Sequence, residues 1–198
     1  SQDLLEKYRH EPRVMAISGD NFQHGKIRGR ASYYFSIFPH CWGWATWRSA
    51  WKSYDHSMAD WPGLRDTDWL RNVLKAKWAV PHWRKIFDKV YAGEIDSWAY
   101  RWTYSLWRAG GLTAIPNVNL VHNIGFGNEA TNTHINRPWW TPAQSELTFP
   151  LKHPKKIRRD VRADIWTLSY HWKLGMPTWM RLRFQLIRCL MRLKCLTV

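Results

Sequence analysis

The chain has 198 residues, 45% of them hydrophobic, which is enough to bury the core of one compact domain and argues against wholesale disorder. Its formal net charge of +15 favours acidic partners, which are nucleic acid, nucleotide phosphates or an anionic membrane surface. The 16 tryptophans predict a packed aromatic core, or flat faces that stack on sugars or bases.

The first third of the chain contains short predicted elements. Residues 3–8 have the composition of a helix interior, and because the chain starts inside that helix we expect an upstream part to be missing. Residues 14–18 and 33–38 have strand composition. A polar, glycine-bearing loop at residues 21–30 separates these two strands.

Helices are predicted for much of the middle of the chain. Residues 43–54 are expected to form one helix, because three tryptophans recur at helical spacing. These are Trp44, Trp47 and Trp51. Asp66 is predicted to cap a helix that runs to about residue 78, and Pro81 stands at the first position of a helix that ends near Gly93.

Strands and basic helices are predicted towards the C-terminus. Residues 112–115 and 118–122 have strand composition, and a Pro-Asn turn separates them. Residues 152–168 and 178–193 are predicted to be basic helices. This mixture predicts an α/β or α+β fold, which we divide into a domain at residues 1–150 and a basic helical tail at residues 151–198.

The first candidate for function is the sequence Cys-Trp-Gly-Trp-Ala-Thr-Trp-Arg at residues 41–48. Gly43 would let the backbone approach a ligand closely, and Trp42 and Trp44 would offer flat apolar faces to a sugar ring. A helix beginning here would add free N–H donors. The alternative is that the tryptophans form an ordinary buried stripe.

The second candidate is Asp96, which stands where a loop becomes a helix ending at Gly110. Sugar transfer needs a carboxylate that takes the proton from the attacking acceptor hydroxyl, and a loop–helix junction both exposes and fixes such a group. The alternative is that Asp96 or Ser97 only caps the helix.

Two further segments contain possible metal ligands. Residues 119–134 combine a predicted strand with a glycine-bearing loop containing two histidines, a glutamate and several asparagines, which can bring a histidine to a divalent metal or a diphosphate. The alternative is a surface loop. The Asp-X-Asp sequence at Asp66 and Asp68 begins a predicted helix instead of ending a strand, so we interpret it as structural.

Taken together, these segments resemble a bacterial family of GT-A glycosyltransferases, family 2-like, also described as nucleotide-diphospho-sugar transferases or hemolytic-protein-like. The resemblance runs from about residue 4 to about residue 153. The matching pieces are residues 5–8, 17–22, 34–36, 42–48, 95–99 with 101–102, and 119–121 with 123–127.

The resemblance implies the C-terminal, acceptor-side part of a GT-A fold, followed by basic helices, with the nucleotide-binding strands and their acidic motif upstream. It implies inverting transfer from a nucleotide-diphosphate sugar to a glycan or lipid-linked glycan, with Asp96 as the catalytic base. The residues implied at the acceptor are Trp42, Gly43, Trp44, Glu94 and Trp98. Those implied at the donor diphosphate are Arg48, Arg101, Asn123 and Gly125.

A divalent metal, Mn²⁺ or Mg²⁺, is implied as well, held mostly by the missing N-terminal part. Where the family commonly has a histidine nine residues after the Asn of its Asn-Ile-Gly motif, this sequence has Asn132. His134 therefore enters only as a candidate metal ligand.

The cellular setting follows from the cysteines and from hydropathy. The three cysteines are odd in number and lack metal-like spacing, so neither a disulfide framework nor a zinc site is predicted, and a reducing cytoplasm is favoured. We expect no spanning helix and no signal peptide. Residues 178–193 are basic and amphipathic, which favours docking on an anionic surface of the inner membrane, or packing on the missing part.

Two other functions remain open. One is a nucleic-acid-binding protein, since basic charge with aromatic residues is its general signature. The basic residues cluster in the tail and the tryptophans in the middle, so we expect no nucleic-acid partner. The other is a carbohydrate-binding domain without catalysis.

Overall fold

The computed structural model describes residues 1–122 and 143–175, and four short strands at its centre form one mixed sheet. The strands are β1 (Val14–Ile17), β2 (Tyr33–Ser36), β3 (Ala45–Thr46) and β4 (Leu112–Pro116). Their order in the sheet is β2-β4-β1-β3, with β1 and β4 parallel and both outer strands antiparallel to their neighbours. Every residue of β1 and β2 is buried, because other parts of the chain pack on both faces of the sheet.

Helices fill most of the long connection between β3 and β4. They are α2 (Arg48–Trp51), α3 (Trp61–Leu64), α4 (Trp69–Leu74), a 3₁₀ turn (Lys77–Ala79), α5 (Val80–Tyr91) and α6 (Trp98–Arg108). Helix α1 (Gln2–Lys7) precedes β1. Helix α7 (Val161–Trp166) continues into a π-helical turn (Thr167–His171).

The larger core cluster is aromatic and joins the sheet to helices α3–α6. Trp61, Trp83 and Trp102 are fully buried in it. The ring centroids of Trp83 and Trp107 lie 4.7 Å apart, which packs α5 against α6. The first of the two predictions for the tryptophans, a packed aromatic core, is therefore confirmed for these residues.

A second cluster covers another part of the sheet. It contains Leu4 and Tyr8 from the region of α1, with residues of β1, β2 and β4. Leu151 and Ile157 pack against it, so the start of the basic segment lies on the sheet. Asp164 of α7 is fully buried and accepts a hydrogen bond from Ser36 Oγ at 2.5 Å.

The predicted helix at residues 43–54 is wrong. Gly43 lies in a turn, residues 45–46 form β3, and only α2 is helical. Pairing with β1 prevents a longer helix, and Thr46 Oγ1 also donates to the Met15 carbonyl at 2.6 Å. The three tryptophans therefore do not share one helix face. Trp47 Nε1 donates to the Leu5 carbonyl, whereas Trp44 contacts Trp51, with 5.7 Å between their ring centroids.

Several element boundaries also differ from prediction. The N-cap of α4 is Asp68 instead of Asp66, and the helix ends at Leu74 instead of near residue 78, because Lys75 adopts a left-handed φ of 54°. Residues 118–122 form no strand. The segment predicted to be helical at residues 152–168 becomes helical only at Val161, where the Asp160 side chain accepts a hydrogen bond from the Ala163 amide.

Other predictions of the sequence are confirmed or lie outside the structure. The helix beginning near Pro81 and the one ending before Gly110 are present, and a mixed α/β class is observed. The predicted basic helix at residues 178–193 lies outside the described residues. Within residues 1–122 and 143–175, no helix has the length and apolar character needed to cross a bilayer.

Candidate functional site

The segments that follow β1 and β4 are joined by hydrogen bonds at one edge of the sheet. Because the two strands are parallel, their carboxyl ends meet there, the usual place for a ligand site in an α/β sheet. The Leu120 amide donates to the Gly19 carbonyl at 2.8 Å, and the Asn21 amide donates to Asn119 Oδ1 at 3.2 Å. This edge is therefore a fixed framework of backbone and amide side chains.

A cavity of about 530 Å³ lies beside this edge. Five separate parts of the chain line it. They are Asp20 and Phe22 after β1, residues 38–42, Trp83 of α5, four residues near the start of α6 (Ser97, Ala99, Tyr100 and Thr103), and residues 171–173. Its volume lies in the ordinary range of small-molecule sites. The cavity thus brings together segments that are far apart in sequence.

Asp20 is the carboxylate in the lining of this cavity. Ser18 Oγ donates to its Oδ1, and the Trp42 backbone amide donates to its Oδ2 at 3.3 Å. Burial raises the pKa of Asp20 to about 7, in spite of these hydrogen bonds, because the charged form is poorly solvated. A carboxyl group with such a pKa can accept or donate a proton near neutral pH.

Two histidines and a cysteine in the lining are held neutral by burial. Burial lowers the pKa of His171 to about 3, and it lowers that of His40 well below its usual value. The ring of His171 stacks on Phe22, with 3.9 Å between centroids. Burial raises the pKa of the Cys41 thiol, and the nearby Asp20 raises it further. These three groups are neutral polar groups beside aromatic faces, and Lys173 adds a basic side chain to the lining.

Asp96 is close in the chain to this cavity, although it is not in its lining. Its side chain is 92% exposed and accepts a hydrogen bond from Arg101 Nη1 at 2.9 Å. The next residue, Ser97, lines the cavity and holds the N-cap position of α6 without a side-chain cap hydrogen bond. Asp96 is thus oriented by Arg101 from inside α6, and of the two residues considered for the N-cap, Ser97 holds that position.

The predicted acceptor residues are distributed over two places. Trp42 lines the cavity. Trp44 stacks on Trp98 with 5.3 Å between ring centroids, and Trp98 remains 44% exposed. Glu94 is paired with Lys89 at 2.9 Å on the surface. The structure therefore groups Trp42 with the cavity and places the other aromatic residues in a neighbouring stack.

The predicted donor residues are also separated. Arg48 is exposed at the first position of α2, and the Arg101 side chain is only 10% exposed and bound to Asp96. Asn123, Gly125 and His134 lie outside the described residues. Asp66 and Asp68 form surface ion pairs with arginines near the start of α4, as expected of a structural motif.

Asp20 and the two histidines of the cavity were not among the predicted site residues. One local signal pointed to Asp20, because a carboxylate directly after a buried strand is a common position for a functional group. His171 gave no such signal, since it lies far along the chain and reaches Phe22 only through the packing of α7. Tertiary structure was needed to find it.

The divalent metal implied by the resemblance stays a prediction. In the part of the chain that is described, no group of three or more His, Cys, Asp or Glu side chains could hold a metal ion. Comparisons with models of protein families, with curated proteins and with solved structures found no match.

Proposed function

We propose that this chain contributes the acceptor side of an inverting glycosyltransferase, which moves a sugar from a nucleotide-diphosphate sugar to a glycan, free or lipid-linked. One observation carries the proposal. Four of the six sequence pieces that resemble the family contribute to the cavity or to the hydrogen bonds at its edge. These pieces include Asp20, Trp42, Ser97 and Asn119.

The character of the cavity supports an acceptor sugar as its occupant. Its volume of about 530 Å³ accommodates one or two sugar units. Phe22, Trp42 and Tyr100 supply aromatic surface, and His40 and Thr103 supply uncharged hydrogen-bonding groups. An aromatic lining with several polar groups suits a ligand whose ring faces are apolar and whose edges carry hydroxyl groups, and Lys173 adds a further hydrogen-bond donor to this lining.

The proposed reaction needs a carboxylate that accepts the proton of the acceptor hydroxyl. The acceptor oxygen would form a bond to the anomeric carbon of the donor sugar while the bond from that carbon to the diphosphate oxygen breaks. The hydroxyl proton would pass to Asp96, which is exposed and oriented by Arg101. Asp20 is the alternative base, because it lines the cavity and its pKa is about 7.

A panel of nucleotide-diphosphate sugars and glycan acceptors tests the proposal. It is assayed with Mn²⁺, with Mg²⁺ and with a chelator, on a complete homologue that carries this segment together with the nucleotide-binding part. Asp96→Asn should lower turnover by roughly 10²–10⁴-fold, the usual contribution of a general base, while donor binding persists. Asp68→Asn is the matched control, since Asp68 is an exposed carboxylate paired with Arg71 that we interpret as structural, and it should keep full turnover.

The outcomes of this assay separate the roles of the two carboxylates and the alternative functions. Turnover lost in Asp20→Asn but kept in Asp96→Asn would transfer the role of base to Asp20. A protein that binds glycans equally with and without Asp96, and transfers no sugar from any donor, is a carbohydrate-binding domain. Binding of RNA that weakens steeply with salt, together with no binding of nucleotide sugars, would favour the nucleic-acid-binding alternative.

A further inference from the structure

A second and larger concavity lies along the edge strand β2. It has a volume of about 1210 Å³ and is bounded by residues 28–31, by β2 and by residues 152–162. Its lining is strongly basic. Six of the basic side chains in it are Arg30, Lys152, Lys155, Lys156, Arg158 and Arg162. Asp160 is the acidic residue of the lining.

These six side chains lack acidic partners within residues 1–122 and 143–175, where none of them forms an ion pair. The carboxylate of Asp160 accepts the Ala163 amide as the cap of α7. Arg159, which also lines the cleft, differs from these six because its charge is paired. Its Nε donates to the buried carboxylate of Asp164 at 2.5 Å. Its Nη2 is buried without a hydrogen-bond partner in the described part of the chain.

The basic segment is held against the sheet by several contacts, so the cleft has a defined wall. The Ser32 amide donates to the Lys152 carbonyl at 2.7 Å, and the Lys152 amide donates to Ser32 Oγ at 2.8 Å. Tyr33 Oη and His153 Nδ1 are hydrogen-bonded at 2.9 Å. Further along, Arg159 pairs with Phe35 in a β-bridge. These hydrogen bonds and the β-bridge fix the position of the backbone that carries the basic side chains.

We propose that this cleft binds a compact soluble anion with two or more phosphate groups. Uncompensated cations on the walls of a concave site focus the electrostatic potential, and the arginine and lysine side chains donate charge-assisted hydrogen bonds to phosphate oxygens. A flat membrane surface fits a concave site poorly. Single-stranded nucleic acid needs exposed rings for stacking, whereas Tyr33, Tyr34 and Phe35 in this lining are buried.

The site is separate from the cavity proposed for the acceptor sugar, and the inference does not depend on sugar transfer. Helix α7 and its π-helical turn connect the two places, since Arg162 lies in the cleft and His171 in the cavity. At the usual rise per residue the nine intervening steps span about 14 Å.

Calorimetric titration of the full chain with pyrophosphate at low ionic strength tests the proposal. Lys155→Gln combined with Lys156→Gln should weaken pyrophosphate binding at least about tenfold, the effect of losing charge-assisted contacts. The matched control is Lys52→Gln combined with Lys85→Gln, which removes the same charge from exposed positions outside the cleft. This control should stay within about twofold of the unmodified chain. Circular dichroism and thermal unfolding establish that both variants fold.

Two results would overturn the proposal. Equal weakening in the two double variants would mean that pyrophosphate responds only to the net charge of +15. Absence of pyrophosphate binding would also overturn it, and sedimentation on anionic vesicles that requires Lys155 and Lys156 would then assign the cleft to a membrane surface. Selective loss in the cleft variant, with vesicle binding unchanged, would support a soluble phosphorylated ligand.

Discussion

Gly19 and Gly43 are in direct backbone contact, and a Cβ atom at Gly19 would lie 2.8 Å from the carbonyl oxygen of Gly43. Gly43 has a φ of +59°, and a Cβ atom there would lie 2.4 Å from Val121 Cγ1. This close approach places the Trp42 amide within hydrogen-bonding distance of Asp20. The glycine that we expected to approach a ligand therefore makes room for its neighbours in the fold.

Replacement of Gly43 by alanine should destabilise the protein through both conformation and contact. We expect a loss of about 2–4 kcal/mol in the free energy of unfolding, from the left-handed φ and from overpacking against Val121. Urea denaturation measures the loss. Gly110→Ala separates the two causes, because Gly110 has a φ of +66° and open space around its Cβ position. It should lose only about 1 kcal/mol, and an equal loss in both variants would contradict the close contact.

The raised pKa of Asp20 predicts a specific dependence of stability on pH. Its carboxyl group loses its proton near pH 3.8 in the unfolded chain but near pH 7 in the folded one. Between these values the folded state binds more protons, so stability falls as the pH rises. The asparagine in the Asp20→Asn variant does not titrate. The free energy of unfolding of this variant, relative to that of the unmodified protein, should therefore rise by up to about 4 kcal/mol between pH 4 and pH 8.

Unfolding curves of both proteins across this pH range provide the measurement. Burial raises the pKa of Asp164 to about 6. Because Asp164 titrates in both proteins, its contribution cancels when their free energies of unfolding are subtracted. A difference between the two proteins that does not change with pH would mean that Asp20 is not held protonated.

Trp42 and Trp44 should respond differently to removal of their side chains. Trp44→Ala removes a ring that is stacked on Trp98 and packed against the main core, so it should cost about 2 kcal/mol of stability. Trp42→Ala removes a wall of the cavity and should raise the KM for the acceptor while leaving donor affinity unchanged. Kinetics and chemical denaturation of the pair give the comparison. A fall in donor affinity alone in Trp42→Ala would contradict the acceptor assignment.

Gln23 should be important for attaching the C-terminal part to the sheet. It is fully buried, and its Nε2 donates to the Ala163 carbonyl at 3.2 Å and to Thr167 Oγ1 at 2.8 Å. Gln23→Ala should lower the free energy of unfolding by about 1–3 kcal/mol, because it leaves buried polar groups unpaired. Gln144→Ala at an exposed position is the control and should change stability by less than about 0.5 kcal/mol. Equal stability of both variants would mean that the hydrogen bonds of Gln23 contribute little to the attachment of α7.

Local sequence signals were sufficient wherever the chain itself imposes a strong preference. A proline at the first turn and a glycine after the last turn identify α5, and the Gly-Gly pair marks the end of α6. The apolar residues of β1 and β2 identify them as buried strands. The position of Asp96 beside the start of α6 was predicted for the same reason, since helix ends depend on a few neighbouring residues.

Only the tertiary structure decided where distant residues meet. Residues 43–54 have helical spacing, but pairing of Ala45 and Thr46 with β1 satisfies the backbone in another way and separates Trp47 from Trp44. The sequence marks Asp20 as a carboxylate after a strand, whereas its burial and pKa depend on Trp42 and on the packing of α7. Local propensity is a property of a few neighbouring residues, but desolvation is a property of everything that surrounds a group.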